Sequence, residues 1–231
     1  HSPAESLQNQ ETYWQDRISA MGGEAAYAEF MSIVAGKDPL QEHELAHVFG
    51  DALYKGMGES GLTVCSGQAS YGCFHAMVGH SIAEHGLSEV SSLVMRCYTS
   101  VSIEPMSCQH GIGHGIMGHF GYSKEDLGKA LAVCKDMAVP DSIDSCYSGV
   151  FMEYSMRTML GGGASVRPAS DGLLAPCDSV EPQYLRACAS QQPRWWMQVL
   201  GGQAPDAALY EKLGGLCNKL AEGTPALRTC F

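Results

Sequence analysis

Cys108-Gln109-His110-Gly111-Ile112-Gly113-His114-Gly115-Ile116-Met117-Gly118-His119-Phe120-Gly121 reads as one helix with informative borders and contents. It opens on a cysteine and ends, 13 residues on, in a glycine, the usual left-handed cap of a helix C-terminus. Ile112, Ile116 and Met117 keep an apolar stripe at helical spacing. His110 and His114 are four apart and so share one face, about one turn apart. Glycine costs about 1 kcal/mol per position inside a helix, so Gly111, Gly113 and Gly115 together point to close helix contact or to backbone approach at a site.

The same frame recurs on either side. Cys73 leads to Gly86, Cys146 to Gly161 and Cys188 to Gly201. The ten cysteines fall into five neighbouring couples: Cys65 with Cys73, Cys97 with Cys108, Cys134 with Cys146, Cys177 with Cys188, and Cys217 with Cys230. Second members recur 35 to 42 residues apart, the period of a helical-hairpin repeat. Upstream of the couples, Ser88 and Ser123 stand as N-caps before early carboxylates, and Pro205-Asp206-Ala207 places proline in a first turn. Each unit thus reads as leading helix, cysteine, short loop, cysteine, trailing helix. A disulfide closing such a loop contributes about 2–3 kcal/mol. A cysteine-free unit precedes them, with helices over 24–35 and 41–56 and Gln41 in the cysteine's place. The alternative is a non-repetitive disulfide protein with other pairings.

The fold expected is all-α: tandem disulfide-stapled αα-hairpin repeats forming a compact, strongly curved solenoid or, if the curvature closes, a toroid. The chain forms one domain, residues 1–231, of about six hairpins near 5–58, 59–86, 87–121, 122–163, 172–202 and 203–231, with 161–176 the most irregular stretch. Such a bend brings the starts of several trailing helices together.

The histidines follow the repeat. Counted from Gln41, Cys73 and Cys108, the second residue onward is His43, His75 and His110, and the sixth is His47 in the first unit and His114 in the third. In the second unit that place is Gly79, followed directly by His80; the fourth unit has Glu153 where the second has His80. So many imidazoles in one phase of one helix are costly to bury without a partner. His43, His47, His75, His80, His110 and His114 are therefore the candidate metal ligands, with Glu44 and Glu153 as candidate general bases. His85 and His119 fall later on their helices. The bland alternative is a set of packing histidines inherited by duplication.

His43-Glu44-Leu45-Ala46-His47 resembles the zinc-peptidase signature over these five residues, two histidines binding zinc and the glutamate activating water. Leu53 stands where the longer astacin-like form wants a third histidine, and the repeat sets Glu44 opposite Ala76 and Gly111. With thiols consumed in disulfides, the donors are mostly neutral nitrogen, which suits copper, zinc, iron or nickel. The set is similar to the coupled dicopper centres of tyrosinases and haemocyanins, although nothing else in the chain resembles those families. With Glu153 as a ligand, iron also fits.

Hydrophobic residues make up 45% of the 231, an ordinary globular share, and no apolar run is long enough to cross a bilayer. The formal charge of −11, with no basic cluster, argues against nucleic acid as a partner. A secreted or periplasmic metalloprotein is expected. A copper- or iron-dependent oxidoreductase is the first reading, a zinc hydrolase using Glu44 or Glu153 the second, and a non-catalytic metal-binding or interaction module the third. Substrate and oligomeric state are not legible.

Overall fold

The structure, a computed structural model, describes residues 7–99, 104–136, 143–157, 166–201, 206–222 and Cys230. Among them there are ten α-helices and no strand: α1 (Leu7–Met21), α2 (Gly23–Val34), α3 (Pro39–Met57), α4 (Gly72–His85), α5 (Val90–Thr99), α6 (Pro105–Phe120), α7 (Lys124–Asp136), α8 (Ile143–Met156), α9 (Pro182–Leu200) and α10 (Ala207–Ala221). All five cysteine couples are disulfides, so no cysteine is free. Two of them join α5 to α6 and α7 to α8, and those helices also pack on each other.

Local chemistry sets most borders. Gly86 and Gly121 adopt positive φ after α4 and α6, as expected of their place. Ser123 and Asp126 exchange side-chain to backbone hydrogen bonds at the start of α7, a reciprocal cap. Glu104 caps α6 by accepting from the amides of Met106 and Ser107, with Pro105 in the first turn. Asp206 caps α10 through the Leu209 amide; Pro205 and Gly161 lie outside the described residues.

Several local expectations fail. Ser88 is not an N-cap: its hydroxyl donates to the His85 carbonyl, and a 3-10 turn over Leu87–Glu89 precedes α5. Gly201 keeps a right-handed conformation, φ −77°. The leading helix of two units is replaced by turns. Before Cys73 run two 3-10 segments, Gly58–Thr63 and Ala69–Tyr71, and Cys177 lies in a chain of turns. In that second stretch, carbonyls that a helix would satisfy internally accept instead from α9. Trp195 donates to Arg167, Trp196 to Leu173 and Gln192 to Ala175. Trp195 and Trp196 are fully buried core residues.

The first unit, without a disulfide, is held by aromatic packing. Trp14 on α1 meets Phe30 on α2 and Phe49 on α3 with ring centroids 5.4 and 5.3 Å away. From there α3 packs on α4, α4 on α6, α6 on α8 and α8 on α9. These contacts run through the middle of the molecule and carry the histidines. No helix among the described residues is long and apolar enough to cross a membrane.

Candidate metal centre

Glycine decides how closely those helices approach. A Cβ on Gly72 would stand 2.6 Å from the His43 carbonyl oxygen, and one on Gly50 2.4 Å from that of Cys73, so α3 and α4 touch backbone to side chain on both faces. On α6, Gly111 and Gly115 face α4: their Cβ atoms would meet the His75 ring at 2.9 Å and Ile82 at 2.7 Å. Gly113 faces the other way, where a Cβ would lie 2.1 Å from the Cys146 carbonyl oxygen of α8. Gly149 of α8 answers it, 1.9 Å from the His110 carbonyl oxygen by the same measure. The glycine-rich run is thus a helix squeezed between two neighbours.

This crowding brings five imidazoles from three helices into one cluster. His43 and His47 come from α3, His75 from α4, His110 and His114 from α6. Ring centroids are 4.6 Å apart for His43–His47 and 4.8 Å for His110–His114. His75 sits between the pairs, 5.6 and 5.8 Å from the first two and 5.2 and 5.3 Å from the last two. Ligand atoms of His43, His47 and His75 all lie within 4.8 Å of one another, and these three buried residues form a group able to hold a metal ion.

The hydrogen bonds behind the rings leave nitrogen lone pairs converging. His43 Nδ1–H donates to the Ala69 carbonyl at 3.0 Å, so Nε2 of the neutral ring is an acceptor, 3.1 Å from His47 Nε2. Glu153 accepts from His114 Nδ1 at 2.9 Å. His110 Nε2 faces His114 Nε2 at 3.0 Å. Each pair thus sets the Nε2 atoms of two histidines four residues apart against each other within hydrogen-bond distance. Both ring nitrogens of His75, and Nδ1 of His47, are buried with no hydrogen-bond partner.

Burial disfavours the charged form of four of the five imidazoles. Desolvation is the largest influence on each of the following. It pushes His43 down to about 4 against the opposing pull of the Ala69 carbonyl, and holds His47, His75 and His110 well below the ordinary imidazole range. The charges of neighbouring histidines act in the same direction, as does Arg194 on His43, His47 and His110. Neutral imidazole is the form that binds metals.

Two supports were not legible beforehand. Ala69, Ser70 and Tyr71 all have left-handed φ, 51°, 50° and 63°, although none is glycine. That local strain, of order 1–2 kcal/mol per residue, turns the Ala69 carbonyl onto His43. Glu153, expected as a general base, is fully buried behind His114 and also accepts from the Tyr122 hydroxyl at 2.8 Å. Both its oxygens are engaged, one by the His114 ring and one by the Tyr122 hydroxyl.

The remaining candidates lie elsewhere. His80 Nε2 is 2.8 Å from Asp51 and its ring stacks on Tyr54, so its partners are not the five clustered histidines. Glu44 is exposed, and the charges it feels are those of Asp38 and Arg194. His85 and His119 are exposed as well.

A cavity of about 600 Å³ opens onto the cluster. His43, His75 and His110 form one side; Tyr71, Met152 and Arg194 are among the other lining residues. Comparison with known protein families, with curated proteins and with solved structures finds no match for the chain.

Proposed function

We propose that the protein is a copper-dependent oxidoreductase acting outside the cytoplasm. The observation that carries the reading is the buried group of His43, His47 and His75, whose ligand atoms lie within 4.8 Å of one another and whose His75 nitrogens have no hydrogen-bond partner, beside the Nε2 atoms of His110 and His114 3.0 Å apart. Two imidazoles bound to one ion at about 2.0–2.1 Å hold their nitrogens about 2.9–3.4 Å apart, the spacing of both pairs. The natural division is one ion on His43, His47 and His75 and a second on His110 and His114.

The donor set favours copper. It is all neutral nitrogen, and Glu153, whose participation would favour iron, stands behind His114 instead. A buried site without anionic ligands tolerates monovalent copper better than a divalent ion, and copper tops the divalent affinity order at such donors. Bound copper would supply reversible one-electron chemistry. The protein's own residues keep the imidazoles neutral, fix His43 and His114 from behind, and expose His43, His75 and His110 to the cavity. Access from a cavity favours catalysis over storage. Neither Glu44 nor Glu153 is placed as the base a zinc hydrolase needs. Five disulfides fit an oxidising compartment. The succession α3, α4, α6, α8, α9, each on the next, supports a strongly curved hairpin array.

Elemental analysis of protein purified without a histidine tag tests the proposal. Copper at one to two equivalents is expected, with an electron paramagnetic resonance signal or visible absorption in the oxidised state. His75→Ala and His114→Ala should each lower the copper content. Zinc in its place would return the hydrolase reading, and metal-free protein that takes up none would end both.

A further inference from the structure

The cavity holds a cation that the metal cluster does not explain. Arg194 follows Pro193 on α9, in the wall facing the histidines. Its Nη1 donates to the Met152 sulfur at 3.5 Å, a weak acceptor. Among the described residues it has no ion pair, in a chain with 25 acidic residues, whereas Arg17, Arg96 and Arg186 each meet a carboxylate and the buried Arg167 is held by the Gly172 and Ala175 carbonyls and the Trp195 ring. The carboxylate whose charge it feels, Glu44, lies out of ion-pair reach. Glu104, the acidic residue in the lining, spends both oxygens on the amides that open α6.

We propose that this cavity takes a small organic carboxylate, its head group on the Arg194 guanidinium and its body directed toward His43, His75 and His110. The planar fork of arginine matches a carboxylate with two parallel hydrogen bonds. Gln191 and Ser145 in the lining add polar contacts, while Tyr71, Met106 and Met152 offer apolar surface to the body of the molecule. About 600 Å³ accommodates a small molecule rather than a polymer. The anion also balances positive charge at a site whose ligands are all neutral. That last point, and the direction of the body, rest on the copper reading; the head-group contact does not.

The test is a nuclear magnetic resonance titration of the whole protein, copper-loaded and copper-free, with benzoate and with uncharged benzamide. Benzoate should bind at least about tenfold more tightly than benzamide in both forms. Arg194→Gln should abolish that preference and keep its copper, and Arg194→Lys should retain part of it. Equal binding of the two probes, no binding of benzoate, or an unchanged preference in Arg194→Gln overturns the inference. Copper content measured on the same samples judges the metal reading separately. The comparison of probes on the unaltered protein does not depend on any variant folding.

Discussion

Substituting Gly149 with alanine sets two effects of opposite sign against each other. Alanine is the better helix former by about 1 kcal/mol, so propensity alone predicts a gain in stability. The structure predicts a loss. The new Cβ would lie 1.9 Å from the His110 carbonyl oxygen and 3.2 Å from the Gly113 Cα, both backbone atoms that cannot rotate away. Ordinary contact begins near 3.4 Å, so α6 and α8 must part by about 1.5 Å. A shift of that size takes His114 Nδ1, now 2.9 Å from Glu153, out of hydrogen-bond range. Overpacking costs about 1–3 kcal/mol, and a buried carboxylate losing a donor costs about as much again. The net expectation is a loss of about 2–4 kcal/mol, together with weaker copper binding. Urea unfolding of the oxidised, metal-free protein measures it. Gly128→Ala on α7 is the control, because nothing lies within 4 Å of its Cβ position; it should gain up to about 1 kcal/mol. If Gly149→Ala matches or exceeds the unaltered protein in stability, the account of α6 as a squeezed helix is wrong.

Other outcomes follow from the same geometry. Glu153→Gln removes the anionic acceptor behind His114 and should weaken copper binding by about 10–100-fold in a competition titration, with helicity by circular dichroism unchanged. Acid should destabilise the metal-free protein. His43 titrates near 4 when folded and near 6.5 when unfolded, so the unfolded chain binds more protons between those values. Stability is then full above pH 6.5 and falls with pH, by about 2 kcal/mol from pH 6.5 to 5 for His43 alone. The depressed His47, His75 and His110 act in the same direction, and a flat profile in urea midpoints would contradict the neutral cluster. Replacing Cys134 and Cys146 by serine opens a link of sequence separation 12 and should cost about 3 kcal/mol in the same assay.

The fold was legible where a local residue has a local job. Cysteine spacing gave the pairings, Gly86 and Gly121 gave the ends of α4 and α6, and the alternation around His110 and His114 announced a crowded helix. It was illegible where the partner is distant. The leading helices before Cys73 and Cys177 look acceptable in isolation, but tertiary contacts replace them with turns, the Trp195 and Trp196 donors serving the second. At the site, five of the six candidate histidines share a phase and meet. His80 is one residue out of that phase, hence about 100° round the helix, where it finds Asp51. Glu153 was legible as a residue of the site, but its partners were not, because only packing shows that its two oxygens meet His114 and Tyr122. Arg194 gave no signal, since its place in the cavity depends on α9 lying beside histidines more than 80 positions earlier in the chain.

The disulfides at Cys73 and Cys108, each two positions ahead of a clustered histidine, bear on how the protein matures. Before oxidation, ten thiols would compete for monovalent copper, and soft sulfur outbids nitrogen for that ion. Sealing every thiol leaves the imidazoles without a rival and sets the feet of α4 and α6 in register. Correct loading on the copper reading therefore has an order in time: oxidative folding first, metal second. A cell that made this protein would then need to keep copper away from it until the disulfides are closed.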